Sequence, residues 1–109
     1  MTTIEIVVIT NDGGTEVGRC EIKYFNKRFA EIAKLSVIES YRGKGYGSRL
    51  LKKAVENCAV PLMIATVRFD NEFWWRENIK QGFKLVDRIY RDTGDLLVFL
   101  RNKSASYPR

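Results

Sequence analysis

The chain contains no histidine, and this absence bears on several kinds of catalytic site. Histidine is the general base of Ser-His-Asp triads and a frequent ligand of catalytic zinc. Cysteine is also scarce: Cys20 and Cys58 are the only two, which is too few for a disulfide scaffold. With no histidine to activate either thiol, we expect both to be small buried apolar side chains rather than nucleophiles. No metal site is expected.

Long apolar runs are missing as well. None approaches the roughly 18 residues of a membrane-spanning helix, and the apolar stretch 4–9 follows no basic segment of the kind that opens a signal peptide. We therefore expect a cytoplasmic protein with no membrane contact. With 109 residues, 45% of them hydrophobic, the chain has room for one domain, predicted over residues 1–102. The polar residues 103–109 are predicted to form a disordered tail.

Positive charge is abundant but concentrated. The formal net charge is +6 and the isoelectric point is about 9.5, which would suit a polyanionic partner. Five cations fall within twelve consecutive residues: Arg42, Lys44, Arg49, Lys52 and Lys53. Subtracting these five charges from +6 leaves +1 for the other residues. One local anion site therefore accounts for most of the excess, and a nucleic-acid partner is not expected, since no aromatic and basic stacking face is evident.

Three strands are expected first, over residues 4–10, 15–25 and 28–38. The first two are joined by Asn11-Asp12-Gly13-Gly14, a strong hairpin signal, and Asn26-Lys27 marks the second turn. The apolar period then becomes that of an amphipathic helix beginning near residue 47. Four more elements complete the prediction: a strand over 62–69, a helix capped by Asp70 or Asn71 and ending at Gly82, and strands over 83–91 and 96–100.

The predicted order is βββ-α-β-α-ββ, which indicates an α/β (α+β) fold built on a mixed, mainly antiparallel sheet. Strand, helix and strand between residues 28 and 69 form a βαβ unit. Those two strands should therefore be parallel, with a right-handed crossover.

Three glycines at a spacing of two, Gly43, Gly45 and Gly47, stand between the third strand and the first helix. Glycine lets the backbone turn tightly and approach a ligand closely, and the free N–H groups at a helix start attract phosphate. The alternative is an ordinary glycine-rich connection with solvated lysines. The spacing matches neither the G-x-x-x-x-G-K-[ST] loop of nucleotide-triphosphate sites nor the G-x-G-x-x-G turn of dinucleotide folds.

This loop resembles the coenzyme A loop of the GNAT superfamily of N-acetyltransferases. The family pattern R/Q-x-x-G-x-G/A is met by Arg42, Gly45 and Gly47, and the usual lead-in strand is met by Leu35-Ser36-Val37. The proline that commonly follows that strand is replaced by Glu39, which should be harmless on a loop.

Two further stretches carry the same resemblance, which spans roughly residues 4–100. Val67, Asn71 and Gly82-Phe83 have a spacing that the family often shows. Phe29-Ala30-Glu31-Ile32 resembles the strand that carries the catalytic glutamate of the histone-acetyltransferase branch. The resemblance implies a GNAT-like fold in a minimal form, without the family's usual N-terminal strand and two helices. The acceptor side of the sheet should then be open, or closed by another subunit in a homodimer.

The resemblance implies that acetyl-coenzyme A is the cosubstrate. Arg42 and Lys44 would add positive charge at its phosphates. The backbones of Leu35 and Val37 would pair with the pantetheine arm, and the Leu35 N–H would donate to the thioester carbonyl. Asn71 would contact the pantetheine or phosphate end. The pyrophosphate would be held by the backbone N–H groups of six consecutive residues: Gly43, Lys44, Gly45, Tyr46, Gly47 and Ser48. Three cations of the helix would either reach the 3′-phosphate or form a solvated face: Arg49, Lys52 and Lys53.

By the same resemblance, Glu31 would be the general base that removes a proton from the incoming amine. Simple alternation along the strand places Glu31, Ala33, Leu35 and Val37 on one face. Four residues of strand put Glu31 about 13 Å from Leu35. The alternative for Glu31 is a surface carboxylate paired with Lys23 on the neighbouring strand.

One family residue is replaced. Many members have a tyrosine as general acid for the leaving thiolate at the position that Asn78 holds here, and an amide cannot serve in that role. Trp74 and Trp75 are expected to be core or pocket-wall aromatics. The candidate substitutes for the acid are three tyrosines: Tyr41, Tyr46 and Tyr90.

The sequence thus predicts an N-acetyltransferase that moves an acetyl group from acetyl-coenzyme A to a primary amine. Direct attack in a ternary complex is expected, because neither cysteine lies in a matched motif where it would carry a covalent intermediate. The open acceptor side favours a protein lysine or N-terminus over a small metabolite. The alternative is a non-catalytic module that binds and senses acetyl-coenzyme A, which Asn78 favours and Glu31 disfavours.

Overall fold

The first half of the chain is an antiparallel meander followed by a helix. A computed structural model describes residues 2 to 103. Strand β1 (Thr3–Thr10) pairs with β2 (Glu16–Tyr24), and β2 pairs with β3 (Phe29–Val37). The first turn is closed by the Asn11 side chain, whose Oδ1 accepts hydrogen bonds from the backbone N–H groups of Gly13 and Thr15, both at 3.0 Å.

The remaining elements complete a six-stranded sheet. In chain order they are a short 3-10 helix (Glu39–Tyr41), α1 (Tyr46–Asn57), β4 (Leu62–Arg68), α2 (Glu72–Lys80), β5 (Lys84–Ile89) and β6 (Leu96–Asn102). The strand order is β1-β2-β3-β4-β6-β5, and β3 with β4 is the one parallel pair of this sheet. The predicted order of elements and the predicted parallel pair are both confirmed.

One face of the sheet carries the core and both helices. Cross-strand partners such as Ile22 and Ile32 are both fully buried, because residues opposite each other in register share a face. Helix α1 packs across β1, β2 and β3, whereas α2 packs against β4 and β5. The two helices meet where the ring of Phe73 lies against Gly47. Both cysteines belong to this core, as predicted: Cys20 and Cys58 are buried.

The opposite side of the sheet, called here the open face, carries Ile4, Lys23 and Glu31. Ile4 and Ile6 are 54% and 50% exposed, and the cross-strand partner of Ile6 is Glu21. Within residues 2 to 103, both helices longer than one turn lie on the other face. A partly apolar sheet surface is therefore left uncovered by the described part of the chain.

The parallel pair is short, and this opens a gap in the sheet. Its three register pairs are Phe29 with Leu62, Ala30 with Met63, and Glu31 with Ile64. Beyond these pairs β3 continues to Val37 and β4 to Arg68 with no further register partners between them. The two strands therefore separate towards their carboxyl ends, where α1 and α2 begin.

A bulge in β3 changes which residues face the gap. Glu21 is opposite Ala33 and Arg19 is opposite Ser36, so β3 contains one more residue than β2 across this interval. Lys34, within the bulge, has a φ of 56°, in the left-handed region. The extra residue reverses the alternation, so that Val37 lies on the helix face with the core while Glu31 stays on the open face. The expectation that Glu31, Leu35 and Val37 share one face is therefore wrong.

The chain end is described only in part. Lys103, the first residue of the predicted tail, is held in place. Its Nζ donates to the carbonyl oxygens of Glu56 and Cys58, and its backbone N–H donates to the carbonyl oxygen of Pro61. The rest of that predicted tail, 104–109, lies outside the described residues.

Candidate functional site

The glycine-rich loop joins the open end of the gap to helix α1. Gly43 and Gly45 have φ angles of 78° and 87°, which L residues with a side chain rarely adopt. Gly45 is the N-cap of α1, and no side chain within residues 2 to 103 caps the helix start. The first N–H groups of α1 are therefore left to bind water or a ligand. The helix begins at Tyr46, one residue before the predicted start.

Gly47 is needed for a different reason. It lies inside the first turn of α1, where a Cβ would come within 2.9 Å of the Phe73 ring and 3.3 Å of Trp74. The absence of a side chain lets α2 approach the start of α1. The third glycine of the predicted motif therefore sets the distance between the two helices that border the gap.

A cleft of about 670 Å³, the first cleft, lies between the end of β3, the glycine loop and α2. Eight of the residues predicted to bind the coenzyme line it: Leu35, Val37, Arg42, Gly43, Gly45, Gly47, Ser48 and Asn71. Lys44 and Tyr46 do not line it. The side chain of Arg42 is folded back onto β3, since its Nε donates to the Val37 carbonyl at 3.0 Å. Lys44 lies over the Tyr41 ring, 5.6 Å from its centroid.

Helix α2 supplies residues that the motifs did not indicate. Phe73, Trp74, Glu77 and Lys80 also line the first cleft. They recur at intervals of one and three positions, which places them on one side of a helix. That spacing is visible in the sequence, but it indicates a cleft only once the direction in which α2 faces is known.

The buried side of α2 is polar. Glu77 is 4% exposed, and its Oε1 is 3.2 Å from Nζ of Lys80. Asn78 is fully buried, and its Nδ2 donates to the Trp74 carbonyl at 2.8 Å. Its Oδ1 has no hydrogen-bond partner within residues 2 to 103. Asn78 thus acts as a core residue of α2, and this position offers no hydroxyl group.

A second cleft, of about 250 Å³, contains Glu31 and lies along the same gap. Its walls come from β3 and β4, including Lys34, Thr66 and Arg68. No ion pair joins Glu31 to Lys23, although the two are register partners on adjacent strands. The two clefts share three lining residues: Leu35, Asn71 and Trp74. The gap between β3 and β4 therefore has one cleft beside the glycine loop and another beside Glu31, and they meet at Leu35.

A family model described as the acetyltransferase (GNAT) domain matches residues 3–85. The chain belongs to the GNAT family of acetyltransferases. A search of curated proteins found no match.

Many solved structures share the fold. A spermidine N-acetyltransferase SpeG mutant from Vibrio cholerae superposes with a TM-score of 0.82 at 16% identity, over 93% of this chain and 66% of that one. A GNAT acetyltransferase from Elizabethkingia anophelis with acetyl-CoA bound gives 0.76 at 15% identity, over 91% and 76%. Ard1 from Thermoplasma volcanium gives 0.72 at 25% identity, over 82% and 64%. The chain thus spans about two thirds of the length of the first and third of these proteins.

The three tyrosines considered as a GNAT general acid lie away from the gap. The rings of Tyr41 and Tyr46 pack edge to face with centroids 6.0 Å apart, and Tyr90 is 77% exposed. None of the three lines either cleft. Trp74 and Trp75 both pack against the core, as expected. Trp74 also lines both clefts, and the Trp75 indole N–H donates to the Phe69 carbonyl.

Neither thiol of this GNAT chain is available as a nucleophile. Burial raises the pKa of Cys20 to about 12, with the nearby carboxylates of Glu21 and Glu5 adding to the effect. Cys58 is buried, and its Sγ is 3.6 Å from the Val60 carbonyl oxygen. Within residues 2 to 103 there is no cluster of three or more potential metal ligands, and no helix there is long and apolar enough to cross a membrane.

The cations of α1 that were considered for a 3′-phosphate face another way. Arg49, Lys52 and Lys53 line a separate depression near the end of β1, which has no lining residue in common with the first cleft. Nζ of Lys53 donates to the Val8 carbonyl at 2.7 Å, and the Arg49 guanidinium lies over the Tyr46 ring. The three cations therefore lie outside the first cleft, although Arg49 contacts Tyr46 at the end of the glycine loop.

Proposed function

We propose that this GNAT domain transfers an acetyl group from acetyl-coenzyme A to a primary amine by direct attack in a ternary complex. The observation that carries the proposal is the gap between β3 and β4, with one cleft beside an uncapped helix start and another beside a carboxylate. The two clefts meet at Leu35, so two substrates entering from opposite faces would come together there. The residues present fit the coenzyme, because glycines with positive φ and free helix N–H groups suit a pyrophosphate.

The chain's own groups would divide the work as follows. Backbone N–H groups of residues 43–48 bind the phosphates, and Arg42 adds a positive charge. The backbone edge of β3 that β4 leaves unpaired, at Leu35 and Val37, binds the pantetheine arm as an added strand. The Leu35 N–H is the donor for the carbonyl oxygen as charge develops on it. When bound, the coenzyme supplies the activated acetyl group.

Glu31 is proposed as the general base on the acceptor side. It takes a proton from the acceptor ammonium, and the freed amine nitrogen then forms a bond to the thioester carbon. As the carbon–sulfur bond breaks, the nitrogen gives its second proton to water. The electron pair leaves on sulfur, and because Asn78 has no hydroxyl group, that thiolate takes its proton from water. Direct attack is favoured over a covalent enzyme intermediate, since the pKa of Cys20 is about 12.

We propose a protein acceptor, a lysine side chain or an N-terminus, because the open face leaves the second cleft accessible to a large substrate. A homodimer is proposed through β1, an edge strand of the sheet, with Ile4 and Ile6 as apolar contacts, so that the second cleft between β3 and β4 stays accessible. One structural neighbour is a spermidine N-acetyltransferase. A small polyamine acceptor is therefore the main competitor to a protein acceptor.

The decisive experiment is an acetylation assay with purified protein, acetyl-coenzyme A and a set of peptide and small-amine acceptors, measured as release of free thiol. Transfer faster than the buffer background supports the proposal. Non-catalytic sensing is the second candidate function, because Asn78 replaces the usual acid. Coenzyme binding without transfer to any acceptor would favour it instead.

A further inference from the structure

We infer that the acceptor is an acidic peptide, in which a carboxylate lies within three or four residues of the amine that is acetylated. The inference rests on the proposed acetyl transfer. It comes from the charges around the second cleft, whose lining contains one carboxylate, Glu31, and two cations, Lys34 and Arg68. The cations stand on different walls of the gap, Lys34 on β3 and Arg68 on β4.

Arg68 is held in a fixed orientation. Its Nε and Nη2 bind the two oxygens of Asp70 at 3.1 and 3.0 Å, and Nη2 is 2.9 Å from where a Cβ on Gly94 would lie. This bidentate pair occupies one edge of the guanidinium. Nη1 makes no hydrogen bond within residues 2 to 103, and half of the side chain is exposed. An oriented guanidinium with a free edge is well suited to binding a second carboxylate.

Asp70 remains charged while it holds this arginine. The hydrogen bond from Arg68 lowers the pKa of Asp70 below its ordinary value. Its carboxylate therefore stays ionised at neutral pH and keeps the guanidinium in place. Lys34 is held less tightly, since its Nζ is 3.6 Å from Glu21 and its side chain is 69% exposed. Lys34 is thus free to turn towards an acceptor.

The spacing of the charges sets the distance between amine and carboxylate. Ile64 is the register partner of Glu31, and Arg68 lies four residues further along β4, about 13 Å away at roughly 3.3 Å per residue. Lys34 lies three residues beyond Glu31, about 10 Å along β3. At the same rise per residue, an extended peptide with its amine near Glu31 would place a residue three positions away beside Lys34, or one four positions away beside Arg68.

The same charges disfavour a polyamine. A molecule with several ammonium groups has one carboxylate in the cleft lining to bind, and its other ammonium groups would approach Lys34 and the free edge of Arg68. The partner carboxylates, Glu21 and Asp70, offset part of that repulsion. These distances are comparable to the Debye length of about 8 Å at physiological salt, so the repulsion is only partly screened. The acidic peptide places each charge opposite its complement.

The test compares short peptides with one acceptor lysine and a blocked N-terminus. The lysine is flanked by Glu, Gln or Arg at the third and fourth positions on both sides. Two readouts are taken: kcat/KM from thiol release, and anisotropy of the fluorescein-labelled peptides with coenzyme A-saturated protein. We expect the Glu-flanked peptide to be preferred over the Arg-flanked one by about tenfold at low salt, with the preference falling as salt rises. Arg68→Gln should reduce the preference, and Arg68→Glu should reverse it.

A control variant is available on the far side of α2. Arg76 is an exposed arginine paired with Glu72, and it lines neither the first nor the second cleft. Arg76→Glu makes the same charge change as Arg68→Glu and should leave the peptide preference unaltered. Circular dichroism melting of all variants separates loss of preference from loss of fold.

Equal use of the three peptides, a preference for Arg flanks, or an unchanged preference in Arg68→Glu would overturn the inference. Transfer to spermidine with no binding of any peptide would also overturn it, while leaving the proposed acetyl transfer intact. Absence of transfer to every acceptor would refute the proposed function. The anisotropy comparison would then decide the charge preference of the cleft on its own.

Discussion

Glu31 and Val37 lie on opposite faces of the sheet, although they are six positions apart on one strand, where regular alternation would place them on the same face. The bulge at Lys34 causes this reversal by adding one residue to β3. Without the bulge, the side chains of Glu31 and Val37 would point to the same side of the sheet. The bulge therefore allows one strand to serve a cleft on each face.

The backbone conformation of Lys34 is unfavourable for a residue with a side chain, whereas glycine adopts it readily. Because its φ of 56° lies in the left-handed region, we expect Lys34→Gly to be more stable to urea than Lys34→Ala by about 1 kcal/mol. Comparing these two variants cancels the loss of the lysine side chain. A regular strand would give the opposite order, with alanine more stable than glycine.

The glycine loop is tested by a pair of matched variants. Acetyl-coenzyme A should raise the melting temperature of the parent, because a ligand that binds only the folded state stabilises it. Gly45→Asp should abolish this shift by placing a negative charge where the pyrophosphate is expected. Gly14→Asp is the control, since Gly14 has a similar φ of 82° and also has open space around it, but lies in the first hairpin turn. A normal shift in Gly45→Asp would refute the assignment of the loop.

Removal of the Glu31 carboxylate should affect turnover rather than coenzyme binding. Glu31→Gln should keep its affinity for acetyl-coenzyme A and lose about a hundredfold or more in kcat at pH 7. Its residual rate should climb as the pH approaches the pKa of the acceptor amine, which then no longer needs a base. Glu16→Gln, at an exposed carboxylate paired with Arg19, is the control. If Glu31→Gln has the same kcat as the parent at pH 7, the general base is another group.

Stability should fall in alkaline solution. Burial raises the pKa of Cys20 from 9.0 to about 12, and burial followed by the hydrogen bond to Glu5 raises the pKa of Tyr24 from 10.0 to about 12. The folded state thus holds these two protons more tightly than the unfolded state. Their stabilising contribution is complete below about pH 9 and is lost progressively towards about pH 12. Urea midpoints should show a smaller loss with pH in Cys20→Ala and Tyr24→Phe, and an equal loss would contradict the account.

The open face predicts self-association. We expect light scattering to give twice the chain mass of 12.6 kDa, with Ile6→Asp shifting the protein to monomer. Ile79→Asp is the control: Ile79 is exposed to a similar extent but lies on α2, on the other side of the sheet. A parent protein that stays monomeric at high concentration would refute the proposed dimer.

Much of the fold could be predicted from the sequence, because the residues that mark turns and helix starts lie within the segments they mark. Turn residues such as Asn11 and Gly82, and the change of apolar period near Gly47, locate most of the elements to within a few residues. The resemblance to the family motifs likewise indicated eight of the thirteen residues that line the first cleft. Lys34 gave no such signal, since a lysine in the left-handed region is held there by the pairing of β3 with β2.

The sequence also did not indicate that α2 lines the first cleft, and the reason is physical. A helix is expected to bury its apolar residues, yet α2 buries Glu77 and Asn78 and leaves Phe73 and Ile79 half exposed. The orientation of this helix is fixed by its contact with Gly47 and by the hydrogen bond from the Gln81 side chain to the Ser48 carbonyl. Such long-range contacts leave no pattern in the segment itself.

Because three register pairs join β3 to β4, the sheet consists of two parts that are only weakly connected to each other. On one side are β1, β2, β3 and α1, and on the other are β4, β6, β5 and α2, with few backbone hydrogen bonds across the seam. Opening of that seam should be the lowest-energy fluctuation of the sheet. A ligand that bridges Leu35 and Asn71 would fasten the two parts together, so that amide hydrogens along the carboxyl half of β4 would exchange more slowly once it is bound.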